Sequence, residues 1–253
     1  MSKFSKNSLT KDGYQDLSVY RLVPSIVTII ALCMGLTSMR YALDSKWEQS
    51  LLLLIIAAFL DGMDGRIARF LNVTSDFGAQ LDSLADFVNF GVVPAVTIYL
   101  WSLNDIEIKG VGWGFVLVYA VCMALRLARF NTMDEEDIRR SEKYFFGVPA
   151  PFGAMLIILP MMLSFISREV DFAAHPIFVG VYMLVIGFAM ASRIPTFSIK
   201  KMHVSKDNVT IVLAFFGFLV AAIIIHPWMT FSVICALYIL SIPFSFWKYV
   251  RKK

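Results

Sequence analysis

Eight apolar stretches, each close to the length of a bilayer crossing, account for most of this chain. They run over residues 24–42, 48–71, 78–102, 112–131, 148–167, 176–194, 209–226 and 228–247. A crossing helix needs about 20 apolar residues. Lipid offers the backbone no hydrogen bonds, so a crossing segment must satisfy its own as a helix. The pattern therefore predicts an all-α integral membrane protein of about eight transmembrane helices, without room in 253 residues for a second soluble domain. Only 17% of residues are charged and 58% are hydrophobic, against about 25% charged in soluble domains. That excess excludes an ordinary soluble enzyme, and a net charge of +4 gives no case for nucleic acid.

The distribution of charge sets orientation. Lys3, Lys6, Lys11, Arg21, Arg66, Arg69, Arg126, Arg129, Arg139, Arg140, Lys143, Arg193, Lys200, Lys201, Lys206, Lys248, Arg251, Lys252 and Lys253 fall on one side, so 19 of the 23 basic residues share it. Arg40, Lys46, Lys109 and Arg168 fall on the other. Basic residues stay on the cytoplasmic side. Both termini and the polar ends of spans two, three, four and six then face the cytoplasm. Residues 1–22 form a polar cytoplasmic segment without the short apolar core of a secretory signal, so the first span is expected to be retained. Spans seven and eight meet at His226-Pro227, which reads as a tight helical hairpin.

Cys33, Cys122 and Cys235 lie singly in apolar stretches, which argues against a disulfide framework or a zinc site. His175, His203 and His226 have no Ser or Asp partner at a motif spacing, and no Gly-rich phosphate loop of the GxxxxGK kind occurs.

The unusual feature is acidic. Asp61 and Asp64 are three residues apart, and Asp82 and Asp86 are four apart, so each pair shares a helix face. Asn72-Val73-Thr74-Ser75 between them reads as a turn, with Thr74 or Ser75 as the next helix cap. Helices joined so briefly run antiparallel and aim both pairs into one cleft. Four carboxylates at a membrane surface repel unless cations hold them, and hard divalent ions prefer oxygen ligands. Mg²⁺ or Mn²⁺ held this way grips a phosphate or pyrophosphate. The competing reading is a set of solvated helix-end carboxylates paired with Arg66 and Arg69. Gly65, Ala68 and Gly78 on the same faces leave either a close helix contact or room for a flat ligand.

The run Asp61-x-x-Asp64-Gly65-x-x-Ala68-Arg69, followed after eight residues by Gly78, then Asp82 and Asp86 at intervals of four, fills every fixed position of a known signature. It resembles that of the CDP-alcohol phosphotransferases. The resemblance implies a six-helix membrane core, usually dimeric, here residues 23–205, with 206–253 as an added two-helix extension and basic tail. It implies two divalent ions, Mg²⁺ or Mn²⁺, with Asp61, Asp64 and Asp82 as ligands. Asp86 is implied as the base on the attacking hydroxyl and as a further metal contact. Gly65, Ala68, Arg69, Gly78 and Thr28 are implied to border the cytidine diphosphate pocket, and Arg69 to help hold the acidic cluster.

Asp82-Ser-Leu-Ala-Asp-Phe-Val-Asn-Phe-Gly-Val-Val-Pro-Ala95, Ala124-Leu-Arg-Leu-Ala-Arg-Phe-Asn131, Phe146-Gly-Val-Pro-Ala-Pro151 and Ser192-Arg-Ile-Pro-Thr-Phe-Ser198 are similar to the branch of the family that uses CDP-diacylglycerol and L-serine. Ser25 and Ala31 stand where that branch usually carries Asn, although Pro24, Thr28 and Gly35 fit. Serine needs a cation for its carboxylate and an acceptor for its ammonium. Arg126 and Arg129, which can grip a carboxylate with two N–H groups, and the amides of Asn131 and Asn89 are the candidates. The alternative is that both Arg side chains snorkel toward lipid headgroups. Rival functions are the same transfer to glycerol 3-phosphate, inositol phosphate or a second lipid, or a divalent-cation transporter. A transporter would want acidic residues through both halves of the membrane, and they concentrate on one side. The charged loop around Asp134, Glu135, Glu136 and Asp137 reads as a solvated face.

Overall fold

The computed structural model describes residues 22–132, 144–167, 174–192, 195–197 and 209–250. The basic N-terminal segment, the loop with Arg139, Arg140 and Lys143, and Arg193, Lys200, Lys201, His203 and Lys206 lie outside the described residues. The protein is an all-α membrane protein. Its helices are α1 (Val23–Leu43), α2 (Trp47–Phe70), α3 (Asp76–Trp101), α4 (Val111–Asn131), α5 (Ala150–Ile157), α6 (Leu159–Ile166), α7 (Pro176–Ala191), α8 (Val209–Ile225) and α9 (Pro227–Val250). By length and composition, α1, α3 and α4 can each cross a membrane, and α7, α8 and residues 227–243 are shorter apolar helices. Leu103–Asp105 form a short 3₁₀ turn.

Two departures from plain α-helix have a proline at their root. Proline has no N–H to give the carbonyl four residues back. In α3, Pro94 follows a π-helical turn over Phe87–Val92, and the Phe90 carbonyl accepts instead from the Tyr119 hydroxyl at 3.0 Å. The expected fifth span breaks into α5 and α6 next to Pro160, and the Leu156 carbonyl accepts from the Tyr182 hydroxyl at 3.0 Å. These two carbonyls, each left by a proline without its helical donor, are thus answered by a tyrosine hydroxyl from another helix.

α1 lies along α2 and also touches α3, α4 packs on α7, and α9 packs on α6. Leu51, Phe90, Ile98, Tyr119, Met123, Met161 and Met183 fill the centre. Gly35 allows α1 to close on α3, because a Cβ there would collide with the Asn89 amide. Around this core large apolar side chains face outward, among them Phe59, Phe77, Leu84, Phe215, Phe218 and Ile224. α8 buries no residue at all. In water such a surface would aggregate, but lipid solvates it.

One element was not legible in the sequence. β1 (Tyr144–Phe146) and β2 (Pro195–Phe197) form an antiparallel ribbon, with Phe145 opposite Thr196. β2 follows the end of α7 at Ala191, where an unbroken helix to residue 194 was expected. Gly147, just after β1, has φ +79° and lies against the carbonyls of Met190 and Ser192. A side chain there would be strained in backbone and in space.

Candidate active site

The carboxylates are positioned by the turn between α2 and α3. α2 stops at Phe70, and Asn72 takes a left-handed conformation with φ 54°, which Asn tolerates better than most residues. The Val73 and Asn72 N–H groups then close on the carbonyls of Ala68 and Arg69, the usual way to satisfy a helix end. Ser75 starts α3 by accepting from the Gly78 N–H at 3.1 Å. The cap is therefore Ser75 of the two expected candidates.

This hairpin brings together Asp61, Asp64 and Asp82, each offering an oxygen within 4.8 Å of the others. Asp61 and Asp64 are only 7% and 3% exposed. The Asp86 carboxyl lies within hydrogen-bonding reach of Asp61, and Asp61 Oδ1 meets no N–H or O–H donor among the described residues. Asp64 is held by its own helix and by α1. Its Oδ1 accepts from the Gly65 N–H, and its Oδ2 accepts from the Thr28 hydroxyl at 2.5 Å. Among the described residues, no Arg or Lys makes an ion pair with any of the four, and the ion pairs there are belong to Asp44. The Arg69 Nε donates to the Gly65 carbonyl of its own helix at 3.0 Å rather than to a carboxylate. Closely set, desolvated oxygens without a fixed counter-charge are the donor set of a hard divalent cation. These residues fit one.

Beside the carboxylates is a cavity of about 350 Å³. Thr28, Gly65, Ala68, Arg69 and Gly78 all line it, with Asp64 and Asp82 on its wall. A Cβ on Gly65 would meet nothing within 4 Å. Gly65 therefore keeps space open here rather than permitting a helix contact. Ser25, one of the two departures on α1, also lines the cavity, whereas the fully buried Ala31 does not. Pro24, Val73, Thr74, Ser75 and Ala79 also line it. Of these the sequence marked Val73, Thr74 and Ser75 only as turn and cap residues, and Ala79 carries no functional group by which it could be marked.

The basic and amide candidates are placed differently from one another. Arg126 is close enough to Asp86 for each to feel the other's charge, yet makes no ion pair with it, and its Nε donates to the Val148 carbonyl at 2.9 Å. Arg129 donates to the Ala191 carbonyl at 2.7 Å, a cation on the C-terminal end of α7. Asn131 and Ser83 share hydrogen bonds, with Nδ2 donating to the Ser83 Oγ at 3.0 Å. Ser83 follows Asp82 directly, so this pair flanks the cluster. Asn89 is fully buried against Gly35 in the π-helical turn, its amide unmatched by any donor or acceptor among the described residues.

The family model described as CDP-alcohol phosphatidyltransferase matches residues 21–192. A second, described as CDP-alcohol phosphatidyltransferase 2, matches residues 208–243. A protein of Mycobacterium leprae named CDP-diacylglycerol–serine O-phosphatidyltransferase is 36% identical over 234 residues, covering 89% of this chain and 74% of that protein. A protein of the same name from Helicobacter pylori (strain J99) is 30% identical over 220 residues, 87% of this chain and 88% of its own. One from Bacillus subtilis is 31% identical over 186 residues, 73% of this chain and 94% of its own. With the signature complete from Asp61 to Asp86, its Asp64, Gly65, Ala68, Arg69, Gly78 and Asp82 lining one cavity, and a family model spanning more than half its length, the chain belongs to the CDP-alcohol phosphatidyltransferase family.

Proposed function

We propose that this protein transfers the phosphatidyl group of CDP-diacylglycerol to the hydroxyl of L-serine, releasing CMP. The observation that carries the reading is the arrangement around Asp86. The carboxylate cluster stands beside its cavity, and Arg126 is within electrostatic reach of Asp86 without an ion pair to it. In this reading the zwitterionic acceptor places its carboxylate on Arg126 and its hydroxyl toward Asp86. Asp86 takes the hydroxyl proton as the serine oxygen forms its bond to the phosphorus next to the lipid. The bond from that phosphorus to the CMP oxygen breaks.

Asp61, Asp64 and Asp82, with Asp86 beside them, would hold two Mg²⁺ or Mn²⁺ ions, which supply charge neutralisation for the pyrophosphate and for CMP as leaving group. Thr28 fixes the orientation of Asp64 through its hydroxyl. Gly65, Ala68, Arg69 and Gly78 shape the nucleotide's place, and Ser25 offers a hydroxyl where an amide is usual. Arg129 and Asn131 frame the serine side, and Asn89 supports it from within the bundle. A free serine hydroxyl is a weak nucleophile, so the rate rests on positioning and on the base.

An apolar groove of about 460 Å³ is lined by Leu54, Phe59, Phe90, Met155, Ile223 and Phe231. It begins within a turn of Asp61 on α2 and would take the acyl chains. In this reading residues 23–205 are the catalytic core and 206–253 an addition. The enzyme works as a homodimer in the bacterial inner membrane, with its site and both termini toward the cytoplasm. The test is to incubate purified protein with CDP-diacylglycerol and labelled serine, glycerol 3-phosphate or inositol phosphate, with Mn²⁺, Mg²⁺ or EDTA. Phosphatidylserine and CMP should form with serine and metal alone. Product only from another acceptor would overturn the serine assignment, and full activity in EDTA would overturn the metal site.

A further inference from the structure

Arg126 and Arg129 are three residues apart on α4, so their side chains leave the same face of the helix. Each ends on a backbone carbonyl, and the two carbonyls are joined to one another. Arg126 Nε donates to the Val148 carbonyl at 2.9 Å. The Val148 N–H donates to the Ala189 carbonyl, in the last turn of α7, at 3.4 Å. Two residues further along that turn, the Ala191 carbonyl accepts from Arg129 Nη1 at 2.7 Å. Through α4 the path returns to Arg126, so the three hydrogen bonds and the two helix ends close a ring.

Each part of this ring has a local cause. The last carbonyls of a helix lack donors from within it, and that end of the helix favours a cation. At the end of α7 the Phe188 carbonyl takes the Ser192 N–H, the Ala189 carbonyl takes the Ser192 hydroxyl as well as the Val148 N–H, and the Ala191 carbonyl takes Arg129. Gly147 makes the turn into Val148 with φ +79°, and a Cβ on it would stand 2.6 Å from the Met190 carbonyl oxygen and 2.9 Å from that of Ser192. Gly147 and Val148 are both buried. The Val148 carbonyl therefore follows the last turn of α7, and Arg129 is the side chain by which α4 holds the final carbonyl of that turn.

We propose that Arg129 is a positioning residue, which clamps the end of α7 and so fixes the Val148 carbonyl that orients the Arg126 guanidinium toward the acceptor's carboxylate. The proposal rests on the reading of Arg126 as the serine-carboxylate site. It divides the labour between two arginines that look equivalent in sequence. Arg126 spends its Nε hydrogen on Val148 and keeps its Nη groups for the acceptor. Arg129 frames the site through the backbone and does not touch the acceptor. Its effect on serine passes through Arg126.

The experiment uses the purified full-length protein and compares Arg129→Met, Arg129→Lys, Arg126→Lys and the Arg126→Lys/Arg129→Met double variant. Arg129→Met removes the donor to Ala191. It should raise the serine KM by about 3–10-fold, the worth of one ordinary hydrogen bond, with the CDP-diacylglycerol KM nearly unchanged and the melting temperature lower by about 2–4 °C. Should Arg129→Met not fold, Arg129→Gln, two bonds too short to keep the contact, takes its place with the same expectation. Arg129→Lys should recover most of the loss, because one ammonium N–H serves a carbonyl, whereas a lysine does not replace the two-pronged grip of an arginine on a carboxylate. The double variant should be little worse for serine than Arg126→Lys alone, because coupled residues are not additive. If Arg129→Lys raises the serine KM as much as Arg129→Met, Arg129 meets the acceptor itself and positioning is wrong. If the Arg126 and Arg129 effects multiply, the two act independently and the ring carries nothing. If Arg129→Met lowers kcat and melting temperature without a selective rise in serine KM, its role is structural and the proposal falls. If Arg126→Lys leaves the serine KM unmoved, the underlying site assignment fails instead.

Discussion

Thr28→Val isolates one hydrogen bond in the site with little change of shape. Valine replaces the hydroxyl by a methyl of similar size at a position that is 3% exposed, so the contact between α1 and α2 survives. What is lost is the 2.5 Å bond to Asp64 Oδ2. The hydroxyl's second neighbour, the Pro24 carbonyl at 3.1 Å, retains its place in the helix ladder. Asp64 keeps only the Gly65 N–H, on its other oxygen. A hydrogen bond to a charged group is worth about 1.5–3 kcal/mol, and each 1.4 kcal/mol is about tenfold. The expected loss is therefore about 10–100-fold in kcat/KM for CDP-diacylglycerol at limiting Mn²⁺, with melting temperature within about 2 °C of the parent. Thr28→Ser retains the donor and should stay within about threefold. The assay is CMP release across a Mn²⁺ titration. Equal activity of the Val and Ser variants at every Mn²⁺ concentration would refute the idea that Thr28 orients a metal-binding carboxylate.

Three further outcomes follow from the same geometry. Asp86→Asn should cut single-turnover rate by about 10²–10⁴-fold, the usual cost of losing a general base, while keeping donor affinity in Mn²⁺. Asp61→Asn, Asp64→Asn and Asp82→Asn should weaken donor affinity itself. Equal loss of donor binding in all four would make Asp86 a plain metal ligand. Gly35→Ala drives a methyl into the Asn89 amide and should cost about 1–3 kcal/mol of stability by overpacking. Truncation of Asn89 to Ala in the same chain should restore part of the melting temperature, and no restoration would remove that contact as the cause. In a cysteine-free background, a thiol at Thr74 in the α2–α3 turn should react with an impermeant reagent only after the cells are opened, and one at Asn104 in intact cells. The reverse pattern would invert the topology drawn from the basic residues.

The amino-acid order alone determined a good deal here. Runs of about 20 apolar residues allow only helices in lipid, and the observed helices begin and end within a few residues of those runs. The carboxylates were equally legible, because charge in an apolar helix is rare and the spacings Asp61–Asp64 and Asp82–Asp86 place each pair on one face by helical geometry. Local chemistry even narrowed the cap to Thr74 or Ser75. Non-local contacts were not readable in this way. The Tyr119 and Tyr182 hydroxyls answer proline-exposed carbonyls 29 and 26 residues away, and nothing beside either tyrosine marks it for that task. The β1–β2 ribbon pairs segments about fifty residues apart, each too short to carry a strand period. Arg126 and Arg129 look alike on one helix, yet one stands beside Asp86 and the other ends α7 on the Ala191 carbonyl. Only the packing of α4 against its neighbours separates them, since a guanidinium takes whichever acceptors the assembled bundle brings within reach.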